Sequence, residues 1–267
     1  MTDMPATAPA AGPPVTDERW GEGRLVLPGG ILDDRGVCHK VVHVRELTGR
    51  DEEVLTERRY RNGARQVSDL LAQVIVRVDG WERDVDPELA AEMLVGDRDY
   101  LLLRLRQLSL GDAVHQIMRC PAPACEEKVD VDFLVSEIPV RRVDGVRPRY
   151  DFRLSRPAIA GDERSRRGVL RLPTGRDQEA IAELGAVNPA IANTRLFGRL
   201  LQRLGDNAQI DEALIRELPL AVRNELTAVL RATSPGPDLT IGIRCPRCGG
   251  DMTYPFDLYS FFLTSWR

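Results

Sequence analysis

The sequence predicts an α+β protein in which one helical unit occurs twice and each copy ends in a β-hairpin knuckle. Two observations predict this class. Short segments recur in the same order about 125 positions apart. Two cysteine pairs, Cys120 with Cys125 and Cys245 with Cys248, lie at the same place in the two copies. The knuckles are therefore expected to form one four-cysteine zinc ribbon with approximate twofold symmetry.

The internal repeat is visible at three places along the chain. The segment RELTGRDEE at 45–53 returns as RLPTGRDQE at 171–179, and VDPELAAE at 85–92 returns as IDEALIRE at 210–217. The sequence MRCP, which begins at Met118, returns as IRCP from Ile243. Because the three matches keep their order, a duplication explains them better than chance similarity does.

Composition and repeat boundaries divide the chain into four parts. Alanine, proline and threonine dominate the start of the chain, so residues 1–20 are expected to be a disordered tail. Residues 21–140 form the first repeat and residues 169–267 the second. The segment between them, 141–168, holds nine arginines and predicts an Arg-rich bridge, either a linker or a lateral arm.

In the first repeat, turn-forming residues and alternating side chains predict a β-hairpin that ends in a strand from Lys40 to Glu46. Helical spacing follows at 51–59 and 67–74. Asp86 and Pro87 suit an N-cap and a first helical residue, and they predict one helix that runs to about Gln107. A strand from Val114 to Arg119 then leads into the first knuckle.

The second repeat follows the same plan. Helices are predicted at 177–184, at 189–204 after an Asn188 cap, and at 211–231, and a strand at 239–244 leads into the second knuckle. The turns at Thr48 and Thr174 resemble phosphate-binding loops. A helix N-cap explains them more simply.

Four thiolates are the usual ligand set of a structural zinc site, so Cys120, Cys125, Cys245 and Cys248 are the predicted metal ligands. The second knuckle has the sequence Cys-Pro-x-Cys-Gly, whereas Glu126 stands where the first knuckle would benefit from a glycine. A closed four-sulfur site has no open position for water, so metal-dependent hydrolysis is not expected.

Two other functions are compatible with cysteine pairs. A thiol oxidoreductase would place one pair at the N-terminus of a helix, but both pairs here lie between predicted strands. Many zinc ribbons bind nucleic acid, so a zinc-ribbon regulator of this kind is the main alternative. Segments 119–132 and 244–257 together carry a net charge of −2 before the metal centre adds more, which disfavours phosphate binding.

Composition excludes several other classes. No catalytic or nucleotide-binding motif is present, so neither an enzyme nor a small-molecule substrate is predicted. No apolar run reaches the roughly 20 residues of a membrane span, and the N-terminus lacks an apolar signal core. A cytoplasmic protein without membrane contact is expected.

Surfaces for protein partners are predicted at two places. Six of the 14 aromatic residues crowd the last 14 positions, and aromatic side chains carry much of the energy at interfaces. The candidate partner-binding residues there are Tyr259, Phe262 and Trp266. The Arg-rich bridge adds Arg141, Arg142, Arg147 and Arg149.

The chain resembles the T-even phage baseplate-hub assembly chaperone family and its relatives in phage-tail-like contractile injection systems. The resemblance lies in four segments: LPGG at 27–30, LTGRDEE at 47–53, LRLRQLSLGD at 103–112, and RCP at 119–121 leading to VDVDF at 129–133. It implies a non-enzymatic structural or assembly role in the baseplate of a contractile particle, into which the protein can be incorporated. The implied partners are baseplate, hub or tube proteins.

Overall fold

The computed structural model describes residues 15–17, 22–57, 62–160, 163–255 and 258. Within these ranges, helices alternate with small antiparallel sheets, so the α+β class is confirmed. None of the helices described is long and apolar enough to cross a membrane.

The first half of the chain contains a four-stranded sheet, four helices and a β-hairpin. The strands of the sheet are β1 (Val15–Asp17), β2 (Glu22–Leu32), β3 (Cys38–Arg45) and β4 (Ile75–Val78). The helices are α1 (Gly49–Thr56), α2 (Gly63–Val74), α3 (Pro87–Glu92) and α4 (Val95–Leu110), and the hairpin is β5 (Ala113–Arg119) with β6 (Lys128–Leu134). The sheet order is β1-β2-β3-β4, and all of its pairs are antiparallel.

The second half has the same order of elements after a short strand, β7 (Val140–Arg141). It comprises β8 (Tyr150–Ala160), β9 (Glu163–Leu170), α5 (Gly175–Val187), α6 (Pro189–Leu200), β10 (Leu201–Leu204), α7 (Glu212–Glu217), α8 (Leu220–Thr233), β11 (Gly236–Pro237), β12 (Thr240–Arg244) and β13 (Asp251–Pro255). The sheet order β10-β9-β8 corresponds to β4-β3-β2. Equivalent residues pair in the two sheets, since Ile75 lies opposite Val44 and Leu201 lies opposite Leu170.

A buried carboxylate starts the first helix of each half. Arg45 donates two hydrogen bonds of 2.7 and 2.9 Å to Asp51, and the Thr48 amide and hydroxyl donate to the same carboxylate. In the second half, Asp177 accepts the same bonds from Arg171 and Thr174. Thr48 and Thr174 are the N-cap residues of α1 and α5, as predicted.

Both carboxylates are fully buried. Burial alone would raise their pKa values. The hydrogen bonds from arginine and threonine outweigh burial and lower the pKa of each below its ordinary value. Both side chains therefore remain ionised at neutral pH inside the protein.

The hydrophobic core has three clusters. The first packs the β2-β3-β4 sheet against α2 and α4, with Leu27, Val42, Leu71 and Leu101 all inaccessible to solvent. The second joins β8, β9 and β10 to α6, α7 and α8. The third is small and lies between the two knuckle hairpins. Each half therefore has a core, Leu258 of the second half joins the core of the first, and the hairpins share a third cluster.

Both predictions of one long helix are wrong in the same way, because each predicted helix is two shorter helices in the structure. The helix expected from Pro87 to Gln107 is interrupted at Met93 and Leu94, where the backbone is extended. Val95 N–H donates to the Pro173 carbonyl there, so a contact with the second half replaces helical bonding. In the second half the helix expected over 211–231 breaks at Leu218 and Pro219.

The predicted bridge is also corrected. Residues 150–160 and 163–168 of the expected bridge belong to the strands β8 and β9 of the second sheet. The helix expected over 189–204 ends at Leu200, because Leu201–Leu204 pair with β9 instead. The five arginines of β8 and β9 are all exposed.

Candidate metal centre

Two β-hairpins present the four predicted ligands. Strands β5 and β6 pair from Ala113 opposite Leu134 to Arg119 opposite Lys128, and β12 and β13 pair from Thr240 opposite Pro255 to Arg244 opposite Asp251. Each ladder ends one residue before the first cysteine of its knuckle. The cysteines therefore lie in the turn beyond the last strand pair, where a knuckle can direct both sulfurs to one side.

The structure brings the four sulfur atoms together from sequence positions about 120 residues apart. All lie within 4.8 Å of one another. The Cys120 Sγ to Cys248 Sγ distance is 3.7 Å, and the Cys125 Sγ to Cys245 Sγ distance is 3.8 Å. A tetrahedron with metal–sulfur bonds of about 2.3 Å has edges of about 3.8 Å. The sulfur spacing thus fits a tetrahedral ion such as Zn²⁺.

Both knuckles close through equivalent backbone hydrogen bonds. Cys120 N–H donates to the Glu127 carbonyl at 2.7 Å, and Cys245 N–H donates to the Gly250 carbonyl at 2.9 Å. The residue after each second cysteine has a positive φ, +45° at Glu126 and +70° at Gly249. Glycine adopts this left-handed conformation without steric cost, and glutamate does not. The position predicted to favour glycine is therefore strained in the first knuckle.

The four thiols interact strongly with one another. At Cys245, backbone hydrogen bonds from Cys248 and Arg247 lower the pKa to about 7. At Cys120, a backbone hydrogen bond from Ala122 lowers the pKa, but burial and the three neighbouring sulfurs outweigh it and raise the pKa to about 12. Four thiolates in so small a space repel one another, and a bound divalent cation removes that repulsion.

Apolar side chains surround the sulfurs. Val129, Val131 and Met252 are buried with Cys120 and Cys245 between the hairpins. A low-dielectric environment strengthens metal–thiolate attraction and limits solvent access to the site. Cys248 is the ligand on the solvent side, because it is the one exposed member of the four.

Several charged side chains on the knuckles and their hairpins form ion pairs with one another. Arg247 forms an ion pair with Glu127 across the two knuckles, and Arg244 pairs with Asp251 within the second hairpin. On the first hairpin, His115 contacts Asp132 at 2.8 Å, and that contact raises the pKa of the histidine. Asp130 and Asp132 are highly exposed, as expected for the solvent face of a strand. Two of the four basic side chains of the knuckle segments, Arg244 and Arg247, are thus paired with carboxylates, whereas Arg119 and Lys128 are exposed.

The predicted partner-binding residues lie in different environments. Arg141 donates to the Ala232 carbonyl, and Arg142 donates to the Val26 carbonyl at 2.6 Å while lying over the Tyr100 ring. Arg147 and Arg149 are exposed in the loop before β8. Tyr259, Phe262 and Trp266 lie outside the described residues. Arg142 thus has a role within the fold.

The sequence did not predict the buried polar contacts of α4. Asp97 is fully buried and accepts hydrogen bonds of 2.7 and 2.8 Å from the amides of Gly29 and Gly30, and burial raises its pKa to about 6. Arg98 is only 1 % exposed and donates to Ser68 and to the Ala90 and Ala64 carbonyls. Three adjacent charged residues, Asp97, Arg98 and Asp99, on a helix rich in leucine are the signal that could have indicated buried polar contacts, but not their partners.

A cavity of about 1590 Å³ lies where the N-terminus of α4 meets the bridge and the C-terminal end of α8. Its walls include Pro139, Val140, Pro235 and Leu239, and Asp99 is an acidic group among them. Burial raises the pKa of Asp99 to about 7. The lining residues come from both halves of the chain, at 94–99, 136–142, 172–173 and 228–240, so the cavity is a cleft between the halves.

Part of the chain matches a known family model. Residues 35–158 match the family described as T4 bacteriophage base plate protein, a stretch that runs from the turn before β3 through the first knuckle and into β8. The matched stretch comprises 124 of the 267 residues, a little under half of the chain. It ends before Cys245 and Cys248, so half of the cysteine cluster lies outside it. No curated protein and no solved structure gives a significant match.

Proposed function

We propose that this chain is a non-enzymatic structural or assembly component of the baseplate of a contractile phage tail or phage-tail-like injection system. The observation that carries the proposal is the match of residues 35–158 to the T4 base plate family. Its partners would be other baseplate, hub or tube proteins. The protein would act in the cytoplasm, where such particles assemble, and would either stay in the particle or leave as a chaperone.

The proposal includes a structural Zn²⁺ held by Cys120, Cys125, Cys245 and Cys248. The sulfur spacing and the buried surroundings of the site support it. Bound zinc would fix the two hairpins to each other, and four protein ligands leave no position for substrate or water. The ion therefore suits a rigid assembly component better than a catalyst.

Metal analysis tests this part directly. Freshly purified protein is expected to contain one zinc per chain. Cys38 should be the one thiol that a thiol reagent modifies before the protein is unfolded. Treatment with a chelator should expose the other four. Protein that carries no metal, or that shows a disulfide between knuckle cysteines, would contradict the structural zinc and favour a thiol oxidoreductase.

The two halves are proposed to derive from a duplication. Support comes from the shared element order and from equivalent helix starts: Asn62 and Asn188 cap α2 and α6, and Asp86 and Asp211 cap α3 and α7. A shared zinc site at the ends of both copies would keep the halves associated, because the metal bridges them.

The function is tested with purified sheathed particles. Deletion of the gene is expected to stop particle formation or to yield baseplates of altered composition, and quantitative mass spectrometry of finished particles and assembly intermediates distinguishes a resident subunit from a chaperone. Particles of normal composition and normal contraction without the protein would refute the role.

A further inference from the structure

The two helical repeats contact each other in a one-sided way. The start of α5, in the second repeat, packs against α2, α3 and α4 of the first. Gly175 N–H donates to the Met93 carbonyl, and Val95 N–H donates to the Pro173 carbonyl, each at 3.0 Å. Within the described chain, α1 makes no comparable set of contacts with α6, α7 or α8. The contact is therefore heterologous, because two different surfaces meet.

The fit at this contact is close. A Cβ atom on Gly175 would lie 2.2 Å from the Arg98 guanidinium. Arg176 forms ion pairs with Glu88 and Glu92 on α3, and Glu179 accepts a 2.5 Å hydrogen bond from Ser68 on α2. Close packing, ion pairs and backbone hydrogen bonds thus all contribute to this contact.

Each surface has a counterpart on the outside of the molecule. The counterpart of the α5 surface is the start of α1, residues 47–53, which we term the head surface. The counterpart of the α3-α4 surface is the junction of α7 and α8, residues 216–223, which we term the tail surface. Gly175 is buried, whereas its equivalent Gly49 is exposed and has no described atom within 4 Å of a built Cβ.

The tail surface retains part of the α3-α4 surface that α5 covers in the first repeat. Arg223 donates to the Ala190 carbonyl just as Arg98 donates to the Ala64 carbonyl. Leu220 is 76 % exposed, although its equivalent Val95 is half-buried by the second repeat. The neighbouring Ile191 is 45 % exposed. Two large apolar side chains thus lie uncovered at the place that the contact covers in the first repeat.

Charge is also complementary between the head and tail surfaces. Arg50 on the head surface is the equivalent of Arg176, and Glu217 on the tail surface is the equivalent of Glu92. All of these positions follow from the shift of about 125 that relates the repeats. Arg50 and Glu217 are exposed and repeat one of the two ion pairs of the internal contact, while Ala213 stands at the position of Glu88.

We propose that the head surface of one molecule binds the tail surface of a second copy of this chain, in the geometry by which α5 sits on α3 and α4. In this contact Gly49 lies against Arg223, Arg50 pairs with Glu217, and the second molecule covers Leu220. Because the contact is heterologous, it repeats from molecule to molecule and either closes as a ring or extends as a filament. The inference depends on the repeat geometry alone and is independent of the baseplate role.

Sedimentation velocity of the full, metal-replete chain over a concentration series tests the proposal. Wild-type protein is expected to form species larger than a dimer as concentration rises. Gly49→Gln blocks the head surface and Leu220→Asp blocks the tail surface, and each variant alone should remain a monomer. Val187→Ser is the matched control, since Val187 is 86 % exposed at the far end of α5 and its change should leave association intact.

Mixing the variants gives the decisive result. The Gly49→Gln variant has an intact tail surface, and the Leu220→Asp variant has an intact head surface. An equimolar mixture can form one contact between them, so it should give a one-to-one dimer and nothing larger. Arg50→Glu mixed with Glu217→Arg should instead restore the large species, because opposite charges meet at every contact. A wild-type chain that stays monomeric at its highest soluble concentration would overturn the proposal. The proposal would also be overturned if the mixture of Gly49→Gln and Leu220→Asp sediments as monomers while circular dichroism shows that both variants are folded.

Discussion

The first and second repeats use the same helix start but place it in different surroundings. In each, an arginine, a threonine and an aspartate fix the N-terminus of the first helix. The following glycine is exposed at Gly49 and buried at Gly175. A motif can therefore determine local backbone geometry while the neighbouring repeat decides whether the same residue is surface or interface.

The knuckles give a second comparison. Both turn through a positive φ, but only the second has glycine there. The two repeats thus have equivalent backbones but differ in strain and burial. Making the same kind of substitution at equivalent positions of the two repeats can separate the effects of strain and burial on stability.

The largest effect is expected where the two repeats share one site. Cys245→Ser should abolish stoichiometric metal binding and loosen both hairpins, since structural zinc contributes about 10 to 16 kcal/mol in small peptides. Hydrogen exchange should rise in β5, β6, β12 and β13 far more than in the two repeat cores. Cys38→Ser is the control, because Cys38 lies outside the cluster and should leave metal content unchanged. Unchanged exchange in β5 and β6 would mean that the metal does not bridge the hairpins.

The next effect separates the two buried carboxylates. Asp177→Asn should lower the free energy of unfolding by about 3 kcal/mol at neutral pH, because the buried arginine bonds lose their charged acceptor. Asp51→Asn should cost less, since Asp51 has Arg45 as its arginine donor and Asp177 has both Arg171 and Arg199. Urea unfolding measures both values. Equal losses would show that Arg199 adds nothing.

These carboxylates also predict a pH dependence. Their pKa values are lower in the folded state, so their stabilisation is complete above the unfolded value of about 3.9 and is lost as pH falls through the folded pKa. The difference in stability between wild type and each asparagine variant should therefore shrink only below about pH 4. Comparison with the variants matters because thiolate ligands also take up protons in acid.

A smaller effect should distinguish the buried glycine from the exposed one. Gly175→Ala introduces a Cβ atom into the Arg98 side chain and should destabilise the protein by about 2 kcal/mol. Gly49→Ala should be neutral or stabilising by about 0.5 kcal/mol. Its Cβ would have no described neighbour within 4 Å, and alanine lowers the conformational entropy of the unfolded chain. Thermal unfolding of both variants checks the difference. Similar values would argue against a tight contact between the repeats.

The smallest effect concerns the knuckle turns. Glu126→Gly should stabilise the protein by about 1 kcal/mol by relieving the left-handed conformation, whereas Gly249→Ala should destabilise it by a similar amount. Zinc competition with a chelator is the sensitive measurement, because turn strain acts on metal affinity. A weaker affinity in Glu126→Gly would indicate that the glutamate side chain supports the site.

Much of the candidate site was predictable because its signals are local. Cysteine spacing identifies ligands, and the Thr-Gly-Arg-Asp turns identify helix starts. Pro219 is a local signal for the break in the second long helix, but the apolar periodicity on either side of it predicts a continuous helix. The strand Ile75–Val78 was missed because an apolar run after a helix has no periodicity that separates strand from helix.

By itself the sequence determined that similar segments recur in its two halves, that four cysteines lie in two short pairs, and how the first helix of each half begins. These features depend on residues close together in the chain, whose geometry follows from covalent and short-range forces. The tertiary structure decided the rest: the break at Met93, the burial of Gly175 and Arg98, and the meeting of Cys120 with Cys248. Each of these depends on surfaces far apart in sequence, and their complementarity exists only once both repeats have folded.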